Sequence, residues 1–363
     1  MKIGVITHHY VKNYGAFLQS KGLIEVLKEL YPDAKVEIVD YVYRKHWIKN
    51  IAHVLHFHKG TDTWKTYGNQ IKRLIMFSRY EHTLPRSSKV YQAEDIKRLQ
   101  YDLLVLGSDE IWDYRGRGYR PLKFGAGMKN AAGRMIAYAP SCGRVNGSDT
   151  LPETLESGLK NFDAISVRDF ETQDMIRQIS VSAPVLLDPT FLYDFEADLI
   201  REKVQVKMCR YILVYDCKLT EQQVKVLSDY AKHRKLKIAG GGDYQTYYTE
   251  DTDCLTPYEW IALFKNADIV VTGTFHGTVF SIKYRKKFIS FPTEKNRIQK
   301  IGSLLKMFHL EERLLTDASG EALQALLETA VDYSEPDKIQ NDLYKKSMDF
   351  LRTYGVEAEV KDL

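Results

Sequence analysis

Short apolar runs alternate with helix-length amphipathic segments along nearly the whole chain, and this alternation limits the fold more than any other feature. Repeated strand, helix, strand patterning predicts parallel sheets covered by helices. In the first half, residues 2–7, 35–41, 102–106, 134–139 and 164–167 read as strands, and 14–30, 152–161 and 170–179 as helices. A second set follows, with strands at 211–215, 236–239, 268–272 and 288–290 and helices at 221–234, 257–265, 277–284 and 295–308. At 363 residues the chain exceeds what one core usually organises. The expectation is an α/β protein of two Rossmann-like doubly wound domains, residues 1–188 and 189–335, facing across a cleft suited to a ligand. The crossing is placed where Pro189 pushes Asp188 toward an extended conformation. A last helix within 336–363 is expected to pack back on the first domain.

A hydrophobic fraction of 44% with 28% charged residues describes a soluble globular protein. No apolar run approaches the roughly 20 residues that cross a bilayer, and residues 2–7 read as a strand rather than a signal peptide. A cytoplasmic location is expected. Cys142, Cys209, Cys217 and Cys254 form no C-x-x-C pair, which leaves them as packing residues and offers no metal set. Net charge is +4, yet residues 41–80 carry eight Lys or Arg against one Asp. Tyr41, Tyr43, Trp47, Phe57, Trp64, Tyr67, Phe77 and Tyr80 are interleaved with these cations. One reading is a solvated helical excursion with an apolar inner face. The other is contact with an anionic membrane surface, since interfacial helices pair basic with aromatic residues. His53, His56 and His58 lie in the same segment without Cys or paired carboxylates, a poor metal set. A pI near 8.6 and the lack of a recognised binding module argue against nucleic acid.

The chemistry concentrates where strands end. Residues 268–272 form a buried strand pattern, Gly273 allows a sharp exit, Thr274 can cap the next helix, and His276 falls in its first turn. A helix start carries unpaired N–H groups that favour anions, so Gly277 is a candidate anion contact and His276 a candidate proton carrier. In the first domain, the loop His8 to Ala16 joins the first strand to the first helix. Asn13 can cap that helix or meet a ligand, and Gly15 would let an anion approach the backbone. The loop lacks G-x-G-x-x-G, so no dinucleotide is inferred. After the 102–106 strand come Ser108, Asp109 and Trp112: a hydroxyl, a carboxylate able to orient or deprotonate an acceptor hydroxyl, and a ring face suited to a sugar. Arg168 ends another strand with paired donors for carboxylate or phosphate, although Asp169 beside it could neutralise it. Gly240-Gly241-Gly242 follows a second-domain strand and could cradle a phosphate or make a wide turn.

Taken in order, these segments resemble the polysaccharide pyruvyl transferase family. Its N-x-Y-G-A-x-L-Q opening is similar to Asn13-Tyr14-Gly15-Ala16-Phe17-Leu18-Gln19, with Asn13 and Tyr14 adjacent here. Its G-S-D-x-x-W resembles Gly107 to Trp112, its S-V-R-[DE] Ser166 to Asp169, its L-D-P-T-F-L Leu187 to Leu192, and its S-F-H-G Thr274 to Gly277. The resemblance implies a two-domain architecture like that of GT-B glycosyltransferases. It also implies transfer of a pyruvyl group from phosphoenolpyruvate to a sugar, as a cyclic ketal, in cell-surface polysaccharide biosynthesis. Phosphoenolpyruvate would be a co-substrate, with no cofactor and no metal. The acceptor saccharide would be lipid-linked, which suits peripheral association with the inner face of the membrane. By the same resemblance Arg168 and His276 would contact the donor. The reading of the residues adds Thr274, Gly277, Asn13 and Gly15 as expected donor contacts, Ser108 and Trp112 as expected acceptor contacts, and Asp109 with His276 as the expected catalytic pair. Some members carry arginine where this chain has Thr274; Lys283 and Arg285 are the cations further along that helix. The alternatives are a GT-B glycosyltransferase on a nucleotide sugar, using Gly240 to Gly242 for the diphosphate, and a noncatalytic sugar-binding scaffold.

Overall fold

The computed structural model describes residues 1–55, 64–116, 118–250, 252 and 254–355. It divides the chain into two compact units. The first comprises Met1–Val54, Phe77–Asp194 and Asn341–Leu363, the second Leu55–Met76 and Phe195–Gln340, in each case as far as the residues are described.

The first unit is built on a six-stranded parallel sheet. Its early elements are β1 (Lys2–Ile6), α1 (Tyr14–Leu30), β2 (Lys35–Tyr41), α2 (Arg44–Val54) and α3 (Trp64–Glu81), the last continuing from the second unit's share of the chain. Then come β3 (Arg86–Val90), α4 (Ala93–Arg98), β4 (Tyr101–Asp109), β5 (Ala132–Pro140), α5 (Glu153–Leu159), β6 (Ala164–Ile165), α6 (Phe170–Arg177) and α7 (Pro189–Leu192). The strand order is β3-β2-β1-β4-β5-β6. β1 and β4 sit at its centre in register from Ile3 with Leu103 to Ile6 with Leu106. Covered on both faces, they are nearly continuous apolar runs. Gly4 interrupts β1 because the Tyr101 ring and Leu104 occupy the space a Cβ would need. β3 escapes sequence detection because Arg-Ser-Ser-Lys-Val is a sheet edge whose side chains are largely accessible.

The boundary between units falls after Asp194 rather than at Asp188. Pro189 does not open a linker; it occupies the first turn of α7, capped by Asp188 and packed on α1, where the Pro189 carbonyl oxygen lies 2.9 Å from the Cβ position of Gly22. Leu55 and residues 64–76, expected within an excursion of the first domain, group with the second unit.

The second unit holds α8 (Glu196–Arg201), β7 (Tyr211–Tyr215), α9 (Glu221–Arg234), β8 (Lys237–Gly240), α10 (Pro257–Asn266), β9 (Ile269–Thr272) and α11 (Phe275–Lys283). It continues with β10 (Lys287–Ser290), α12 (Lys295–Met307), α13 (Gly320–Glu328) and the start of α14 (Ser334–Gly355). Its parallel sheet runs β10-β9-β7-β8. From Asn341 onward α14 belongs to the first unit. There the Leu187 N–H donates to Ser347 Oγ at 3.2 Å and the Tyr31 hydroxyl to the Leu351 carbonyl at 2.7 Å.

Candidate functional site

In the first unit the carboxyl ends of β1, β4 and β6 deliver His8, Asp109 and Arg168 to one edge of the sheet, where open α/β sheets place their ligands. Asp109 adopts a left-handed backbone, φ 72°, an unfavourable conformation for a residue with a side chain and one that gathers at functional sites. Its Oδ2 lies 3.8 Å from His8 Nδ1 and its Oδ1 3.8 Å from Arg168 Nη2. Arg168 Nη1 donates to Asp188 Oδ2 at 2.9 Å. Tyr10 and His46 close the other side of His8, with the Tyr10 hydroxyl 3.1 Å from His46 Nδ1. Lys123, from a 3-10 turn at Pro121–Phe124, sets its ammonium 5.9 Å from the Tyr10 ring centre.

Burial is the main force on the charges here. It pushes His8 well below the usual imidazole range, and Lys123, His46, His9 and Arg168 press the same way. It brings His46 down to about 4 and Lys123 down to about 7, the latter against the pull of Asp109. Burial also opposes the Arg168 charge, but Asp188 and then Asp109 more than offset it and hold the guanidinium above its ordinary value. At neutral pH the edge therefore presents a neutral imidazole beside a carboxylate that a buried guanidinium supports.

Several expected contacts lie elsewhere. Trp112 is no sugar platform: the ring is fully buried, stacks on Phe124 with centres 5.7 Å apart, and its N–H donates to the Lys123 carbonyl at 2.9 Å. Ser108 is equally enclosed and donates to the Ala139 carbonyl at 2.6 Å, so it has no hydroxyl to offer an acceptor. Ser108 and Asp109 belong to β4 itself and cap no helix. The Gly15 amide does not point at a ligand, because it and the Ala16 amide donate to Asn13 Oδ1 at 2.8 and 3.3 Å; only Asn13 itself is exposed. Arg168 is enclosed beneath Asp109 rather than open to a donor, and Asp169 caps α6 through the Thr172 N–H instead of neutralising Arg168 at the surface. Sequence alone does not single out His8, Tyr10, His46 and Lys123, although two histidines directly after the first strand are an available signal.

In the second unit β9 ends at Thr272, and Thr274 caps α11 by accepting the Gly277 N–H at 3.0 Å. That amide is thus spent on the cap. Gly277 is needed for another reason: a Cβ there would collide with the Thr272 hydroxyl. His276 sits half-buried in the first turn, edge-on to Phe275 with ring centres 5.4 Å apart. Lys283 and Arg285 are engaged elsewhere, Lys283 over the Phe195 ring at 5.1 Å and Arg285 with Asp337 at 3.2 Å. A guanidinium does reach this strand end from α12. Arg297 Nη1 donates to Asp216 Oδ2 at 2.7 Å and to the Gly273 carbonyl at 3.4 Å, the residue before the Thr274 cap. Gly240 and Gly241 are packed rather than open, because Cβ atoms there would strike the Tyr248 and Tyr215 rings. The carboxyl that follows, Asp243, is pushed up to about 6 by burial and accepts from the Tyr248 hydroxyl at 3.0 Å.

Within the basic aromatic segment, Tyr41 and Phe77 are buried, Tyr80 packs on Phe17, and Tyr43 carries the Arg120 guanidinium 3.4 Å from its ring centre. Trp47, Ile48, Ile71 and Ile75 are the large apolar side chains it exposes among the described residues. His56, Phe57 and His58 lie outside the described residues, as do the side chains of His53, Trp64 and Tyr67. Among the described residues no helix is long and apolar enough to cross a membrane.

Comparison with known proteins gives one family and one fold. The family model described as polysaccharide pyruvyl transferase matches residues 13–295. A search of curated proteins finds no match. Among solved structures, the UDP-GlcNAc 2-epimerase from Neisseria meningitidis is similar over 99% of this chain and 100% of that chain, at 8% identity and a TM-score of 0.57. A putative UDP-N-acetylglucosamine 2-epimerase from Listeria monocytogenes covers 99% and 97%, at 10% identity and a TM-score of 0.54. At such identities the likeness speaks for the fold alone, a GT-B-type chain of two Rossmann-like α/β units, in line with the class expected from the alternation of elements.

Proposed function

Because the chain belongs to the polysaccharide pyruvyl transferase family, we propose that it transfers the pyruvyl group of phosphoenolpyruvate to a saccharide as a cyclic ketal, with His276 as the proton donor. The observation that carries this reading is the placement of His276 in the first turn of α11, at the carboxyl end of β9, with Arg297 fixed to the adjoining turn. Protonation of the donor's methylene carbon makes C2 electrophilic. An acceptor hydroxyl then adds to C2 and gives up its proton, the C2–O bond to phosphate breaks, and a second hydroxyl adds with loss of its own proton. One proton is consumed at carbon and two are released, so the products are the ketal, inorganic phosphate and a net proton shared between phosphate and solvent. Arg297 offers the guanidinium for a donor anion that Thr274 cannot supply, and Asp109 serves the acceptor hydroxyl.

The rival donor is a nucleotide sugar, such as the UDP-GlcNAc bound in the epimerase structure. The packed Gly240 and Gly241 and the carboxyl of Asp243 make a poor diphosphate cradle. Incubation with phosphoenolpyruvate or nucleotide sugars, together with saccharide acceptors, separates the two. Acceptor-dependent phosphate release is expected; release of a nucleotide, or of neither, would overturn the reading.

We further propose that the acceptor is lipid-linked and that the protein meets it on an anionic membrane surface. α2 exposes Arg44, Lys45 and Lys49 beside Trp47 and Ile48, with no acidic residue in the helix, and α3 exposes Ile71, Lys72, Ile75 and Arg79. The protein should co-sediment with vesicles containing phosphatidylglycerol and release as salt rises, since the attraction is screened. Equal sedimentation with neutral phosphatidylcholine vesicles, or none with either, would refute the membrane contact.

A further inference from the structure

His8 is about nine-tenths buried at the end of β1, yet its Nε2 has no hydrogen-bond partner among the described residues. A buried polar atom left without a partner costs free energy comparable to a lost hydrogen bond, so its persistence calls for an explanation. Two features supply one. The other ring nitrogen, Nδ1, faces Asp109 Oδ2 at 3.8 Å, and Asp109, left-handed at the end of β4, has Arg168 Nη2 3.8 Å from its other oxygen. The imidazole also stands at the sheet edge where ligands of parallel α/β folds collect. Lys123, His46, His9 and Arg168 all disfavour its charged form, and Asp109 is the carboxylate facing it.

We propose that His8, backed by Asp109, is the base that activates the acceptor: its Nε2 takes the proton of an attacking sugar hydroxyl. This rests on the pyruvyl-transfer reading and changes the part Asp109 plays in it. The acceptor O–H bond breaks, its electron pair stays on oxygen and forms the bond to C2 of the donor, and the proton resides on Nε2. Asp109 does not take the proton. It faces Nδ1–H and compensates the imidazolium as it forms, and the imidazolium then returns its proton to water. The buried Arg168 guanidinium, which disfavours the charged ring, favours that return once the hydroxyl has reacted. The substrate class is a vicinal or 1,3-diol of a sugar, since ketal closure needs a second hydroxyl within one ring.

The test measures acceptor-dependent phosphate release for the wild type, His8→Gln and Asp109→Asn. His8→Gln should lower kcat about 10²- to 10⁴-fold with acceptor KM and the thermal shift given by phosphoenolpyruvate unchanged. Asp109→Asn keeps the ring but frees its tautomer, and should lower kcat by up to about 10⁴-fold with acceptor KM unchanged. Activity of His8→Gln within about three-fold of the wild type would overturn the proposal, as would an Asp109→Asn variant as active as the wild type. Should His8→Gln fail to fold, ¹⁵N spectra of the labelled wild-type histidines decide. Acceptor should shift the unprotonated Nε2 resonance of His8, and an unmoved resonance at saturating acceptor sinks the inference. A wild type that releases no phosphate from phosphoenolpyruvate with any acceptor overturns the pyruvyl-transfer reading instead.

Discussion

Replacing His276 with Gln should lower acceptor-dependent phosphate release by about 10²- to 10⁴-fold, the usual worth of a positioned proton donor, while leaving the fold intact. The substitution is mild for the scaffold. His276 is half-buried on the first turn of α11, so no large cavity opens, and glutamine is at least as good a helix former as histidine. The cap is untouched, because the Gly277 N–H is held by Thr274 and not by the imidazole. An amide of similar length can still hydrogen-bond a donor oxygen but cannot protonate carbon. The loss should therefore appear in kcat, with phosphoenolpyruvate still raising the melting temperature of the variant. Phosphate release by His276→Gln within about three-fold of the wild type, at an unchanged urea midpoint, would remove His276 from the role of acid.

How far the sequence reveals this arrangement depends on whether a feature is local. α1 is legible over its whole length because its signals lie within it: the Asn13 cap, helical apolar spacing, and no competing strand pattern. β7 is legible because Tyr-Ile-Leu-Val-Tyr is buried at every position. The end of the first domain is hard to read near Pro189 because proline signals both a break and the first position of a helix, and only the packing on Gly22 decides between them. Trp112 shows the same limit for a site residue. A tryptophan after a strand looks like a sugar platform until Phe124 and the Lys123 carbonyl, both from a later turn, are seen to enclose it. The cluster of His8, His46 and Lys123 joins residues from the loop after β1, from α2 and from a distant 3-10 turn, a meeting that no spacing rule encodes. Arg297 is hidden from sequence likewise, since only the fold carries the start of α12 to the Gly273 carbonyl.

Arg168→Met should destabilise the protein by about 3–5 kcal/mol, the cost of leaving buried charge without its partner. The sequence motif alone suggests a donor clamp, in which case truncation would cost binding and spare the fold. The geometry points the other way. Arg168 and Asp188 are both enclosed, 2.9 Å apart, and Asp188 spends its other oxygen on the cap of α7, accepting the Thr190 N–H at 3.0 Å. The guanidinium thereby ties the end of β6 to the helix that packs on α1, and it steadies Asp109 from 3.8 Å. Removing it strands two carboxylates where water is scarce. Methionine preserves much of the volume, so the penalty is electrostatic, and Asp188→Asn added to Arg168→Met should recover part of it. Urea unfolding of the single and double variants measures both terms. If Arg168→Met unfolds at the wild-type midpoint and loses only its response to phosphoenolpyruvate, the guanidinium faces the donor and the enclosed ion pair is not what holds this edge of the sheet together.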